Sequence, residues 1–213
     1  MAMIVVVGGI KGGTGKTTVA TNLTVLRALT GNKVLLVDAD EQKSASDWAD
    51  HREGLGIDTN WATIQLSGQQ IYHQILRLSK DFDDIIVDVG GRDTSSQRSV
   101  LSVADTFLVP FKPRSFDIWT IGPVTQMILD MKAANPKLNC FAFINQADSR
   151  GLENDGAESI ISKCQDLIFL KTPIGHRKSF AHASAEGLGI AELRTADKKG
   201  LNEMITLYEA IWE

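Results

Sequence analysis

The chain has 213 residues, enough for one well-filled domain, and 43% of them are apolar, an ordinary share for a globular protein. Its 22 basic and 26 acidic side chains leave a net charge of −4, which excludes a protein that is basic throughout but not one with a local basic patch for nucleic acid. Two cysteines support neither a disulfide framework nor a zinc cluster, and no apolar run reaches the roughly 18 residues that a transmembrane helix needs. The first residues, MAMIVVVGG, are too short an apolar run to span a bilayer and follow no basic segment of the kind a secretory signal carries. A cytoplasmic protein with a single domain over 1–213 is expected.

In chain order, a β-branched run over 3–9 leads into a glycine-rich turn and a helix over 16–29. A strand over 33–40, a helix over 68–80 and strands over 83–90 and 105–111 follow. A helix over 115–134, a strand over 138–146 containing Cys140 and a helix over 153–165 containing Cys164 come next. The strands are apolar at nearly every position, which suits burial on both faces of a parallel sheet. Their alternation with helices predicts an α/β fold, a doubly wound, mainly parallel sheet flanked by helices with right-handed crossovers. The last segment places Leu201, Ile205, Tyr208 and Trp212 at helical spacing, as a core-facing stripe or a partner surface. It is acidic toward its end and lacks the basic face of a membrane-surface helix, so no membrane partner is expected.

Between the first strand and the first helix lies GGIKGGTGKTTVATNL, residues 8–23. Its second half has the strand–loop–helix context of a phosphate-binding loop, with Gly12, Gly13 and Gly15 letting the backbone turn its N–H groups around an anion, and Thr14 between them. Lys16 is placed to reach β- and γ-phosphate oxygens, Thr17 to complete a Mg²⁺ shell and Thr18 to meet the α-phosphate. A plain glycine-rich turn is the simpler alternative. Ile10 stands where a strict Gly-x-x-x-x-Gly-Lys-Thr motif has glycine, and Lys11 follows it.

Two acidic stretches accompany the loop. LLVDADEQ puts Asp38 and Asp40 at the carboxyl end of a buried strand, where ligands collect in open parallel sheets, although Asp40 could instead cap the next helix. DDIIVDVGGRD ends a buried run on Asp88, an acid able to hold Mg²⁺ through a coordinated water, and its Gly90-Gly91 pair could respond to a γ-phosphate. Arg92 and Asp93 read as a solvated loop pair or as partner contacts.

KGGTGKTT followed by Asn22 resembles the deviant Walker A motif of the ParA/MinD superfamily of P-loop ATPases, most closely the small ParA-type partition proteins without an N-terminal helix-turn-helix domain. The resemblance implies ATP and Mg²⁺ as cofactors, with Lys11 crossing an ATP-sandwich homodimer to the other subunit's phosphates. LLVDADEQ is similar to the family's switch I motif, with Glu41 replacing proline, which implies that Asp40 orients the attacking water and Asp38 supports the Mg²⁺ site. The Asp88 strand is similar to Walker B, and PFKPRSFDIW to a Pro-x-x-Pro-Ser-x-x-Asp segment with Arg114 and Ser115 in altered order. FINQ and TPIGHRKSFAHASAEGLGI imply adenine contacts from Asn145 and the backbone near Pro173, Ile174 and His176. Lys11, Lys16 and Asp40 are therefore the expected catalytic groups, with Thr17, Asp38 and Asp88 toward the metal.

With the first strand starting at residue 3, no N-terminal operator-binding domain is expected. The resemblance implies an ATP-switched dimer that binds DNA without sequence preference, becomes nucleoid-associated, and is released when a ParB-like or adaptor protein stimulates hydrolysis. Phosphate contacts would fall to Lys171, Arg177, Lys178, Arg194, Lys198 and Lys199, which could equally be ordinary solvated charge. A MinD-like membrane-associated ATPase is the alternative.

Overall fold

The computed structural model describes all residues except 115–118, 149–152, 165 and 195–196. Among the described residues, eight strands form one parallel sheet: β1 (Met3–Val7), β2 (Val34–Ala39), β3 (Trp61–Gln65), β4 (Asp84–Val89), β5 (Thr106–Phe111), β6 (Asn139–Ala147), β7 (Ile168–Phe169) and β8 (Ile174–Gly175). Their order is β3-β2-β4-β1-β5-β6-β7, with β8 pairing β6. Side chains alternate across each strand, so Ile4 and Val6 enter one core while Val5 and Val7 enter the other. Each fully buried aliphatic side chain contributes about 1.5–3 kcal/mol through desolvation, which explains why the central strands are apolar on both faces.

Helices cover both faces, as the alternation of runs predicts. On the Val5 face lie α1 (Lys16–Leu29), α2 (Ser44–Gly54), α7 (Lys178–Ala185) and α8 (Lys198–Trp212). On the Ile4 face lie α3 (Ile71–Leu78), α4 (Ser95–Leu101), α5 (Ile121–Ala134) and α6 (Glu153–Ile161). The first residues of the helix expected from 115 lie outside the described residues. The helix expected over 153–165 ends at Ile161, and Cys164 follows a turn at Ser162 and Lys163 rather than sitting in a helix. Cys140 is buried in β6 as expected, and both thiols are free.

The stripe expected on α8 is displaced around the helix. Met204, Leu207, Tyr208 and Ile211 are the buried residues, while Leu201 and Trp212 pack at the margin of the core and Ile205 lies outside it. The polar edges of the aromatics explain the displacement. Trp212 donates its indole N–H to Asp84 Oδ1 at 2.9 Å, and Arg27 bridges Asp84 Oδ2 at 2.6 Å and the Tyr208 hydroxyl at 3.0 Å. Trp212 therefore stays at the rim of the sheet. Among the described residues no helix is long and apolar enough to cross a membrane.

Candidate functional site

The carboxyl ends of β1, β2 and β4 converge where β1 separates two strands that are remote from it in sequence, the place where open parallel sheets collect ligands. Register sets the two acids side by side, because Asp38 of β2 pairs with Asp88 of β4 and Val7 of β1 pairs with the same Asp88. Above them α1 opens on Gly15 in a left-handed conformation (φ 87°), with no side chain capping its first N–H groups. Those donors and the helix dipole thus face a cleft of about 1390 Å³ lined by Gly12, Gly13, Gly15, Lys16, Thr17 and Thr18.

Lys16 is 6% exposed, and its ammonium donates to the Lys11 carbonyl at 3.0 Å. Burial lowers its pKa from the ordinary value, while Asp88 and Asp40 pull the other way. The Lys11 backbone therefore belongs to the loop of its own chain. Its side chain is exposed and absent from the cleft lining, so the two lysines separate into one inside the cradle and one outside it.

Thr17 donates to Asp88 Oδ2 at 2.6 Å, whereas Asp88 Oδ1 is buried without a partner. Burial pushes the Asp88 carboxyl up to about 7, the Thr17 hydrogen bond opposes the shift, and the Asp38 charge adds to it. A hydroxyl and an orphaned carboxylate oxygen fit a hard cation such as Mg²⁺, which would neutralise charge that the site otherwise disfavours. Both Asp38 oxygens are engaged, Oδ1 by the Asp40 N–H at 3.1 Å and Oδ2 by the Ser46 N–H at 2.8 Å. Asp38 is thus placed to orient Asp40 and the first turn of α2, the capping role that the sequence left open for Asp40. Asp40 instead accepts from the Gln42 N–H at 3.1 Å, ahead of a helix that starts beyond Lys43.

The Gly90-Gly91 pair, expected to be a flexible switch, is also a steric requirement. A Cβ on Gly91 would lie 2.7 Å from backbone atoms of Gly12, and one on Gly90 would lie 3.1 Å from Asp40 Oδ1. The loop after β4 is in contact with both the phosphate loop and the Asp40 loop.

A second cleft of about 470 Å³ adjoins the first through Gly15 and Thr18. Val19, Ile174, Phe180 and Met204 give it an apolar floor, with Asn145, Gln146 and His176 at polar positions. This is a shape and chemistry that could take a purine base. Asn145 is 5% exposed and donates to the Thr14 carbonyl at 2.7 Å, so it braces the phosphate loop as well as lining this cleft. Pro173 is exposed and lines neither cleft. Asn22, quoted in the motif, ties the late segment down by accepting from the Ile190 N–H at 2.7 Å.

Sequence reading missed two neighbours of the loop. Gln146 adopts a positive φ of 55° and lines both clefts, and the Lys112 ammonium comes within 3.8 Å of where a Gly13 Cβ would stand. Both lie in stretches quoted from the sequence, Gln146 in FINQ and Lys112 in PFKPRSFDIW, but neither has a spacing that points it at the phosphate loop. In PFKPRSFDIW, residues 115–118 lie outside the described residues.

The basic residues do not form one set. Lys178, Lys198 and Lys199 are exposed at the starts of α7 and α8, which meet because Ser179 donates to Asp197 at 2.8 Å. Arg177 is the correction: its guanidinium is committed to Glu203 and Asp197 and is 20% exposed, so it is not free for a phosphate. Lys171 is exposed and pairs with Glu158 at 3.0 Å, while Arg194 is exposed. Arg92 lines the first cleft, and Asp93 pairs with Arg98 at 2.7 Å.

This cradle on this sheet defines a P-loop nucleotide-binding protein. Residues 5–190 match the CobQ/CobB/MinD/ParA nucleotide binding domain, and the chain belongs to that family. The maintenance of carboxysome distribution protein A of Halothiobacillus neapolitanus is 26% identical over 213 residues, 95% of this chain and 93% of its own. The protein of the same name from Gloeobacter kilaueensis is 35% identical over 187 residues, 86% of this chain and 82% of its own. Among solved structures, apo McdA of Cyanothece shares the fold with a TM-score of 0.81 at 17% identity, covering 99% of this chain and 100% of that one. MinD of Pyrococcus horikoshii, complexed with Mg-ADP, does so with a TM-score of 0.76 at 19% identity, covering 99% and 96%. The chain is accordingly an ATPase of the ParA/MinD type.

Proposed function

We propose that this ATPase is a ParA-type positioning protein, a single-domain switch whose ATP-bound homodimer binds DNA without sequence preference and distributes a cellular cargo along it. The observation that carries the reading is the separation of the two lysines. Lys16 is inside the cradle, hydrogen-bonded to the Lys11 carbonyl, while the exposed Lys11 ammonium lies outside its own cleft, where a second subunit's phosphates can meet it. The closeness of Gly91 to Gly12 supports the switch, because any adjustment of the phosphate loop to a γ-phosphate is passed to the loop after β4.

In hydrolysis, Lys16 and the partner subunit's copy of Lys11 would offset the charge spread over the transferring phosphoryl group, and Asp40, oriented by Asp38, would align the attacking water. Thr17 and Asp88 would hold Mg²⁺, which supplies charge neutralisation at the phosphates. A ParB-like or adaptor protein would accelerate the step and so release the dimer. Similarity to proteins named for carboxysome distribution favours a cargo of the carboxysome kind over a plasmid.

For DNA contact the reading now rests on Lys178, Lys198 and Lys199, with Arg194 and Lys171 as flanking charges and Arg177 withdrawn. A dimer presents two such edges, and avidity then makes DNA affinity depend on ATP. Reversing Lys178 and Lys199 to glutamate should weaken binding of ATP-loaded protein to random-sequence duplex by about tenfold or more at low salt, and should flatten the dependence of affinity on salt. Unchanged affinity measured by fluorescence anisotropy would contradict the assignment.

A further inference from the structure

An arginine committed to two carboxylates organises the second cleft that it lines. Arg177 makes two parallel bonds to Glu203, Nε to Oε2 at 2.8 Å and Nη2 to Oε1 at 2.7 Å, and its Nη1 lies 3.4 Å from Asp197 Oδ2. Glu203 also accepts from the Gly175 N–H at 3.0 Å. Asp197 caps α8 by accepting from the Gly200 N–H at 3.0 Å and receives the Ser179 hydroxyl at 2.8 Å. One fork thereby joins β8, the start of α7 and the first turns of α8.

Those three elements are walls of the apolar cleft beside the phosphate loop: β8 supplies Ile174, α7 supplies Phe180, Ala181 and Ser184, and α8 supplies Met204. The packing around the fork leaves little tolerance. A Cβ on Gly200 would stand 2.9 Å from Arg177 Cδ, and one on Gly175 would stand 3.3 Å from its Nε. Both charges are also largely withdrawn from water, with side-chain exposures of 20% and 18%, so the bidentate pair is geometrically exacting and costly to break from one side.

We propose that Arg177 and Glu203 are the positioning pair of the base site: they fix the separation of β8, α7 and α8, and with it the ability to hold a nucleoside triphosphate more tightly than a bare polyphosphate. The proposal rests on reading the second cleft as the base site. A pair that served stability alone would affect every ligand of the phosphate loop through loss of folded protein. A positioning pair affects only ligands that carry a base.

The test is calorimetric binding of Mg-ATP and of Mg-tripolyphosphate, which has no base, to wild-type, Glu203→Gln and Arg177→Lys proteins, with steady-state ATP hydrolysis alongside. Glu203→Gln keeps the size of the side chain but removes the charge. It should weaken ATP about tenfold, the scale of one charge-assisted hydrogen bond, leave tripolyphosphate unchanged, and raise KM rather than lower kcat. Arg177→Lys keeps the charge without the fork and should show the same selective loss. Equal losses for both ligands, or no loss for either, would overturn the proposal. Wild-type protein binding tripolyphosphate as tightly as ATP would instead remove the base-site reading on which it stands.

Discussion

Asp88 is held almost entirely out of water, and its folded-state pKa of about 7 lies above the ordinary carboxyl value of 3.8. A raised carboxyl pKa means that the native state binds its proton more tightly than the unfolded chain does. The stabilisation is therefore complete below about pH 4 and is lost as pH rises through about 7, amounting to a few kcal/mol. Nucleotide-free protein should melt at a lower temperature at pH 8 than at pH 6, and the Asp88→Asn variant should show little of that dependence between the same two pH values. A wild-type melting temperature that is flat across this range would contradict the placement of Asp88. The same side chain shows what was legible in the sequence: a buried run ending in an acid marks the residue, but the unpartnered Oδ1 is known only from the packing around it.

At the scale of elements, the meeting of loops governs the site more than any one helix does. Gly91 places its backbone against Gly12, so Gly91→Ala forces the loop after β4 away from the phosphate loop. The variant should retain its fold, because the loop after β4 puts no side chain into either core and the phosphate loop adds only Ile10 at the margin of one, and should lose ATP hydrolysis by about 100-fold or more, within the range attributed to misplaced catalytic groups. Near-normal turnover would show that the contact is incidental. The elements that sequence reading did not name are those without a period. In α2, SASDWADHREG, only Ala45 and Trp48 are buried apolar residues, and its capping acceptor, Asp38, belongs to the preceding strand. In α4 the Thr94 hydroxyl accepts from the Gln97 N–H, a local cap, ahead of a polar first turn. β3 alternates weakly, with four half-buried positions at the edge of the sheet. The central strands, by contrast, were plain, because burial on both faces confines their polar residues to positions near the ends, as with Asp38 in β2 and Asp84 and Asp88 in β4.

Across the whole molecule, the doubly wound sheet brings residues distant in sequence into one cradle, from Lys16 and Thr17 to Asp38 and Asp88, and what was legible of it was that the two acids stand at the carboxyl ends of buried strands. Single-residue spacing could not reveal how the rest of the chain braces the cradle. Asn145 reaches Thr14, Asn22 fixes Ile190, and Arg177 is turned inward by Glu203 although it lies in a run that reads as a basic patch. The central claim is that Lys11 serves a second subunit. Sedimentation velocity of wild-type and Lys11→Ala protein, each with a non-hydrolysable ATP analogue and Mg²⁺, tests it most directly. The account predicts that both bind the analogue but only the wild type moves from monomer to dimer. A wild type that stays monomeric, or a Lys11→Ala variant that dimerises equally well, would contradict it.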